Sequence, residues 1–356
     1  MRKTIILFLV LLLSVLCVYA DESNSSLNGN GYLQLKTYSF ASKNSLNILN
    51  ALFSLEINRS ELAVSWEPNS VVNSLISIGN DEMVLTNSTT LNIKDVKIDF
   101  KPSSLFVLSI GIHKLPFSYE LLESDTDLDF INRSESVLAF APYRMPGIQI
   151  AGEIGFFEYV FRVSDTSSRN YVYTNRYIYD DSDDKYANAR VIFNFTSWLH
   201  FAISEFYNIP ISTNLSYMFK YPYSYMVASA GELTLDFYPL VFKGEYLHGY
   251  PNNYVYSRSN LSDYSEGWYA QFGYTLLDKY VLLLKWDHLW SSDYYAGNYR
   301  NTLTGMPMLK NKYLLGLNYY YNKNLKLQFN WEYNPVDSDE RHKFIFQLQT
   351  DFDLKI

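Results

Sequence analysis

The sequence predicts an all-β protein, a transmembrane antiparallel β-barrel, and three observations carry that prediction. Apolar and polar residues alternate with period two along most of the chain, which fits strands and no helix. The composition is strongly aromatic, with Tyr 33, Phe 23 and Trp 6. Yet the mean hydropathy is only −0.14 and nothing after Ala20 approaches an apolar helix, the weak signal per segment that barrels give. The connections also alternate between short corners and long polar stretches, as expected when one rim carries turns and the other loops.

At the amino terminus Arg2 and Lys3 precede the apolar run Ile5 to Val18, and Val18-Tyr19-Ala20 supplies small residues for a signal peptidase. Residues 1–20 are therefore read as a secretory signal peptide; the run is short of the ~20 residues that span a bilayer. Cys17 follows Leu16, which is larger than a lipid-attachment site prefers, so a lipoprotein is the lesser reading. Cleavage leaves 27 basic residues against 37 acidic ones, a formal charge of −10, and removes the only cysteine. Such an exported chain uses neither disulfides nor a catalytic thiol.

Residues 21–30 are rich in Asn and Ser and predict a disordered lead-in, with the barrel expected over 31–356. Alternation begins in Tyr32 to Phe40 and recurs around Ala51 to Ile57 and Glu61 to Trp66. Leu91 to Phe100 and Leu105 to Ile112 are the next pair, followed by Gly147 to Ile154 and Phe156 to Val163, which turn at Gly155. In this last arm Phe157, Tyr159, Phe161 and Val163 oppose Glu158 and Arg162. Later segments are cleaner. Leu233, Leu235 and Phe237 oppose Glu232; Phe242 and Tyr246 oppose Lys243 and Glu245; Leu282, Leu284 and Trp286 oppose Lys285 and Asp287; Leu325, Leu327, Phe329 and Trp331 oppose Lys326 and Glu332. Corners at Tyr238-Pro239, Leu277-Asp278 and 321–324 alternate with the long stretches His248 to Gly267 and Leu289 to Lys312. About sixteen strands of roughly ten residues use up the chain, enough for an aqueous lumen.

Lipid offers no hydrogen bonds, so the sheet must close and turn its apolar face outward. The polar face then lines a lumen, which places Arg162, Lys243, Lys285, Lys326, Glu245, Asp287 and Glu332 there. Trp268, Tyr280, Trp286, Tyr313, Trp331 and Tyr333 suit interfacial girdles. Between two strands lies Gly111 to Gly152, long, polar and proline-bearing, the kind of connection that marks a functional loop.

Other chemistries are poorly supported. No histidines share zinc-ligand spacing, and no nucleophile motif accompanies His248 or His288 beside Glu245 or Asp287. A barrel hydrolase is thus the weakest alternative. No glycine-rich phosphate cradle calls for a cofactor, the run Asp180 to Asp184 reads as a solvated loop rather than a calcium site, and an acidic exported chain is a poor partner for nucleic acid.

Within the central stretch, Gly111-x-x-Lys114-x-Pro116-Phe117-Ser118-x-Glu120, then Phe130-Ile131-x-Arg133-Ser134, then Ala139-Phe140-Ala141-Pro142-x-Arg144-x-x-Gly147 resembles the phosphate-selective porin O and P family. Gly267-Trp268-Tyr269-Ala270-Gln271 and Phe346 to Phe352 extend the resemblance. It implies a sixteen-stranded outer-membrane barrel, usually a homotrimer in outer-membrane lipid, placed there by barrel-assembly machinery. It also implies passage of small solute ions, anions such as phosphate, past an inward-folded constriction loop. That loop falls at 112–147, with Lys114, Arg133, Arg144, Glu120 and Glu123 as its charged residues. Two departures stand out: the lumenal positions mix signs instead of forming an arginine ladder, which gives a weaker preference, and Phe352 is followed by Asp353-Leu354-Lys355-Ile356 rather than ending the chain. A surface adhesin or structural barrel with a blocked lumen is the competing expectation.

Overall fold

The structure, a computed structural model, describes residues 26–41, 54–80, 92–140, 144–165, 185–209, 227–250, 264–291, 308–336 and 341–355. Sixteen strands run in chain order: β1 (Ser26–Ala41), β2 (Ser54–Glu67), β3 (Val72–Asn80), β4 (Asn92–Ser103), β5 (Phe106–His113), β6 (Met145–Ile154), β7 (Phe157–Asp165) and β8 (Lys185–Thr196). The second half comprises β9 (Leu199–Ile209), β10 (Val227–Phe237), β11 (Leu240–Tyr250), β12 (Ser265–Leu276), β13 (Tyr280–Ser291), β14 (Met308–Asn322), β15 (Leu325–Tyr333) and β16 (His342–Lys355). Each pairs antiparallel with its chain neighbour, and β1 pairs with β16 in the register Gln34↔Gln349, closing the barrel. Closure satisfies every edge, the condition for a sheet in lipid. Among the described residues no helix is long and apolar enough to cross a membrane.

The expected inside-out pattern is present. On β13, Leu282 and Leu284 are 47% and 57% exposed, whereas the alternate Lys285 and Asp287 are 4% and 3% exposed. Apolar side chains on the outside and charges inside is the reverse of a water-soluble sandwich, and only a lipid-facing outer wall favours it. Aromatic rings gather at both ends of the strands. At the short turns Trp198 lies 4.4 Å from Phe237 and Tyr280 stacks on Tyr319 at 4.9 Å. Towards the other rim Trp268 meets Trp286 at 4.5 Å and Trp286 stacks on Tyr313 at 5.7 Å.

Three local expectations change. Residues 54–57 and Glu61 to Trp66, from two segments read separately, belong to the single strand β2, whose register against β1 slips by a bulge at Gln34/Leu35. The polar residues 26–30 belong to β1 rather than to a lead-in, because their backbone pairs with β2 and with β16. β3, Val72–Asn80, is a strand that the sequence reading passed over. The signal peptide, the acidic run Asp180 to Asp184 and the long stretches 251–263 and 292–307 lie outside the described residues.

Candidate functional site, the segment between β5 and β6

Between β5 and β6 the described residues 114–140 carry two short helices, α1 (Tyr119–Leu122) and α2 (Glu135–Phe140), and Arg144 precedes β6. Ser118, at φ 65, caps α1 by accepting from the Leu121 amide at 3.3 Å. The cap of α2 comes from the barrel itself: the inward carboxylate of Asp287 accepts from the Glu135 amide at 2.6 Å, the Ser136 amide at 3.3 Å and the Ser136 hydroxyl at 2.7 Å. A strand side chain thus supplies the acceptor that exposed helix amides require.

An apolar cluster fixes the two helices. Leu115, Phe117, Leu121, Val137 and Phe140 pack with Tyr186, Phe206, Ala228, Ala230, Leu247, Tyr269 and Leu289, inward residues of β8 to β13. The expectation that the inward face is polar fails at these positions, which are apolar because they receive the segment, while Glu232, Gln271, Lys285 and Asp287 on the same strands keep it. Phe117 meets Phe206 edge-on at 6.4 Å, and Phe206 stacks on Tyr186 at 4.9 Å. At roughly 1.5–3 kcal/mol for each large buried side chain, this cluster outweighs the ion pairs, whose desolvation cancels much of their attraction. The wall also makes room. A Cβ on Gly267 would lie 2.7 Å from the Ser136 Cβ, and one on Gly316 would lie 3.0 Å from the Phe130 ring. Gly267→Val is therefore expected to displace α2 at a cost of about 1–3 kcal/mol, seen as faster maleimide labelling of a cysteine placed at Ser136.

Polar contacts tie the middle of the segment to the rest of the wall. Asp125 accepts from the Tyr32 hydroxyl at 2.7 Å and from Arg133 at 2.7 Å, and pairs with Lys94 at 3.1 Å. Arg59 lies 3.9 Å from the same carboxylate and donates to the Ile131 carbonyl at 2.9 Å. Across the lumen, Lys243 pairs with Glu123 at 2.9 Å and Asp129 at 2.7 Å, Glu120 pairs with Lys285, and Gln271 donates to Asp129. Lys326 donates to the Leu128 carbonyl at 2.8 Å, and Asn132 to Glu332 at 3.0 Å. Lys94 on β4 and Gln271 on β12 are eight strands apart in the ring of sixteen, so the segment joins opposite walls.

Arg133 is 3% exposed and donates to the Glu120 and Glu123 carbonyls, each at 3.1 Å, besides Asp125. Lys114 donates to the Glu123 carbonyl at 2.9 Å, and Arg144 pairs with Asp95 at 3.0 Å. Arg133 pairs with Asp125, and Arg144 with Asp95. Arg162 lies apart, donating to Ser164 at 2.7 Å and to the Met145 carbonyl and touching His113. Glu245 is 3% exposed and faces Glu232 across the β10–β11 register. Lys94, Arg59, Lys312 and Asp95 join the site unforeseen.

The segment's carboxylates titrate unequally. Burial would raise Asp125, but the Arg133, Lys94 and Arg59 cations override it and hold the group well below its usual range. Burial likewise opposes ionisation of Glu135, yet Lys312 and Lys310, at 2.6 and 3.2 Å, bring it to about 2. Glu123 goes the other way, raised by burial beyond what Lys243 offsets. A depressed carboxylate stabilises docking above its unfolded pKa and loses that contribution as pH falls through its folded value. A raised one opposes docking only at higher pH. Acidification from neutrality to the ordinary carboxylate range, ~4, is thus expected to leave the segment docked. Conductance should stay constant over that interval and rise only towards pH about 2, where Glu135 is neutralised.

Comparison with known proteins agrees with this architecture. The family model described as "Phosphate-selective porin O and P" matches residues 76–232, while no curated protein matches the chain in sequence. Among solved structures, Salmonella typhi OmpF in complex with daunomycin is 11% identical, with a TM-score of 0.64 over 93% of this chain and 99% of that one. The trimer form of Vibrio cholerae OmpT is 10% identical, TM-score 0.62, over 92% and 100%. The anion-selective porin from Comamonas acidovorans is 9% identical, TM-score 0.60, over 93% and 100%. The family model covers the central motif, and the closed barrel of sixteen strands shares the fold of these outer-membrane porins.

Proposed function

We propose that residues 114–144 are the constriction of this passive diffusion channel and that small hydrophilic solutes, anions among them, pass beside it. The observation that carries the reading is that a segment between two strands is bonded to lumen-facing side chains on opposite walls. A chain element lying across the lumen narrows the path and places its charges where field lines concentrate. Since Lys114, Arg133 and Arg144 each have carbonyl or carboxylate partners, they present less net charge than a bare ring of arginines would. A weak charge preference follows. The trimeric form of a structural neighbour supports a homotrimer here too, to be checked by cross-linking in native membranes.

The test is reconstitution of the folded protein in a planar bilayer under a salt gradient. Discrete conductance steps with a modest reversal potential support the reading. The same wall-to-wall bonds also favour a second one, a barrel with a blocked lumen serving as a structural or adhesive surface, for which no steps would be seen.

A further inference from the structure

Four neighbouring strands carry an arc of alternating charge beside α2. Asp287 faces Lys312 in the β13–β14 register, Leu314 faces Glu332 in the next pair, and Glu332 faces Lys343 in the β15–β16 register. Around the wall the signs therefore read minus, plus, minus, plus, with directly facing residues about 4.5–5.5 Å apart at Cβ. These side chains, with Ser134 and Glu135, line a cavity of about 140 Å³. Ser134 is 2% exposed, and its hydroxyl has no hydrogen-bond partner among the described residues. A solute in the cavity can offer that hydroxyl an acceptor.

The arc discriminates by charge layout. A compact polyanion such as phosphate would meet a carboxylate next to each cation of the lining: Lys312 is held by Glu135 at 2.6 Å, Arg133 by Asp125 at 2.7 Å and Lys285 by Glu120, and Lys343 stands opposite Glu332. A solute bearing an ammonium and a carboxylate a few ångströms apart finds a partner of the right sign for each. We infer that this cavity is a binding stage for small zwitterions of the α-amino-acid type. The ammonium sits against Glu332, the carboxylate against Lys343, and the Ser134 hydroxyl bonds to the carboxylate. This rests on the channel reading, in which such a stage lies beside the constriction and favours one class of permeant.

Titration calorimetry of the detergent-purified barrel, with L-alanine and separately with inorganic phosphate at constant ionic strength, tests the inference. Saturable L-alanine binding is expected, weakened at least about tenfold in Glu332→Gln and in Lys343→Gln, the loss that a charge-assisted contact implies. Phosphate should show no saturable heat. Saturable phosphate without alanine binding, no binding of either, or alanine binding unchanged in both variants would overturn it. Conductance steps recorded from the same preparations establish independently that wild type and variants fold and conduct, so loss of the stage is distinguishable from loss of the channel.

Discussion

Replacing Asp125 with alanine is expected to open the channel wider and turn it towards anions. The carboxylate holds Arg133 at 2.7 Å and Lys94 at 3.1 Å and accepts from Tyr32 at 2.7 Å. Its loss leaves Arg59, Arg133 and Lys94 less compensated in a site where each is 3% exposed or less. Breaking a buried pair from one side costs about 3–5 kcal/mol because a charge remains behind. Lys94 keeps Glu61 at 2.5 Å, and the apolar cluster still holds α1 and α2, so the barrel survives. The middle of the segment leaves the β1–β4 wall, water enters, and three cations face the path. Single-channel recording should show larger steps and a reversal potential moved towards anions. Unchanged values of both would mean that the path does not pass this wall.

Leu284→Arg is expected to cost the barrel about 2–4 kcal/mol, the depth-dependent penalty for a cation on a lipid face. Leu284 lies near the middle of β13 and is 57% exposed, so its substitute meets hydrocarbon rather than a protein partner. The inward change Lys97→Arg, which keeps its charge beside Asp99, should fall within about 0.5 kcal/mol of wild type. Reversible denaturant unfolding in lipid vesicles measures both. Equal costs would deny the assignment of inner and outer faces.

Much of the fold was legible because lipid and water impose opposite demands on alternate residues, so each strand carries its own orientation. Leu282, Leu284, Lys285 and Asp287 state it within a few positions of β13. The helix-bearing segment was legible as a place, through its motif and its length between strands. Its docking was not. Tyr32 and Asp125 are 93 residues apart, and Glu120 and Lys285 are 165 apart; nothing local says which lumenal charge a segment carboxylate will meet. One signal was present and unused. At Tyr246-Leu247 and Trp268-Tyr269 both faces of a strand are apolar, and a strand apolar on both faces packs against something on each side. Here the second partner is the segment. Gly267 and Gly316 belong to the same contact surface, but as sequence they read only as breaks in alternation.

The central claim is that solutes cross this barrel beside a segment that narrows it. The most direct test compares single-channel conductance of the wild type with that of a variant in which residues 119–140 are replaced by a short Gly-Ser linker. Discrete steps in both, several times larger in the variant, are the predicted result. Equal steps would show that the segment does not limit the path, and a wild type without steps would show that the lumen is closed.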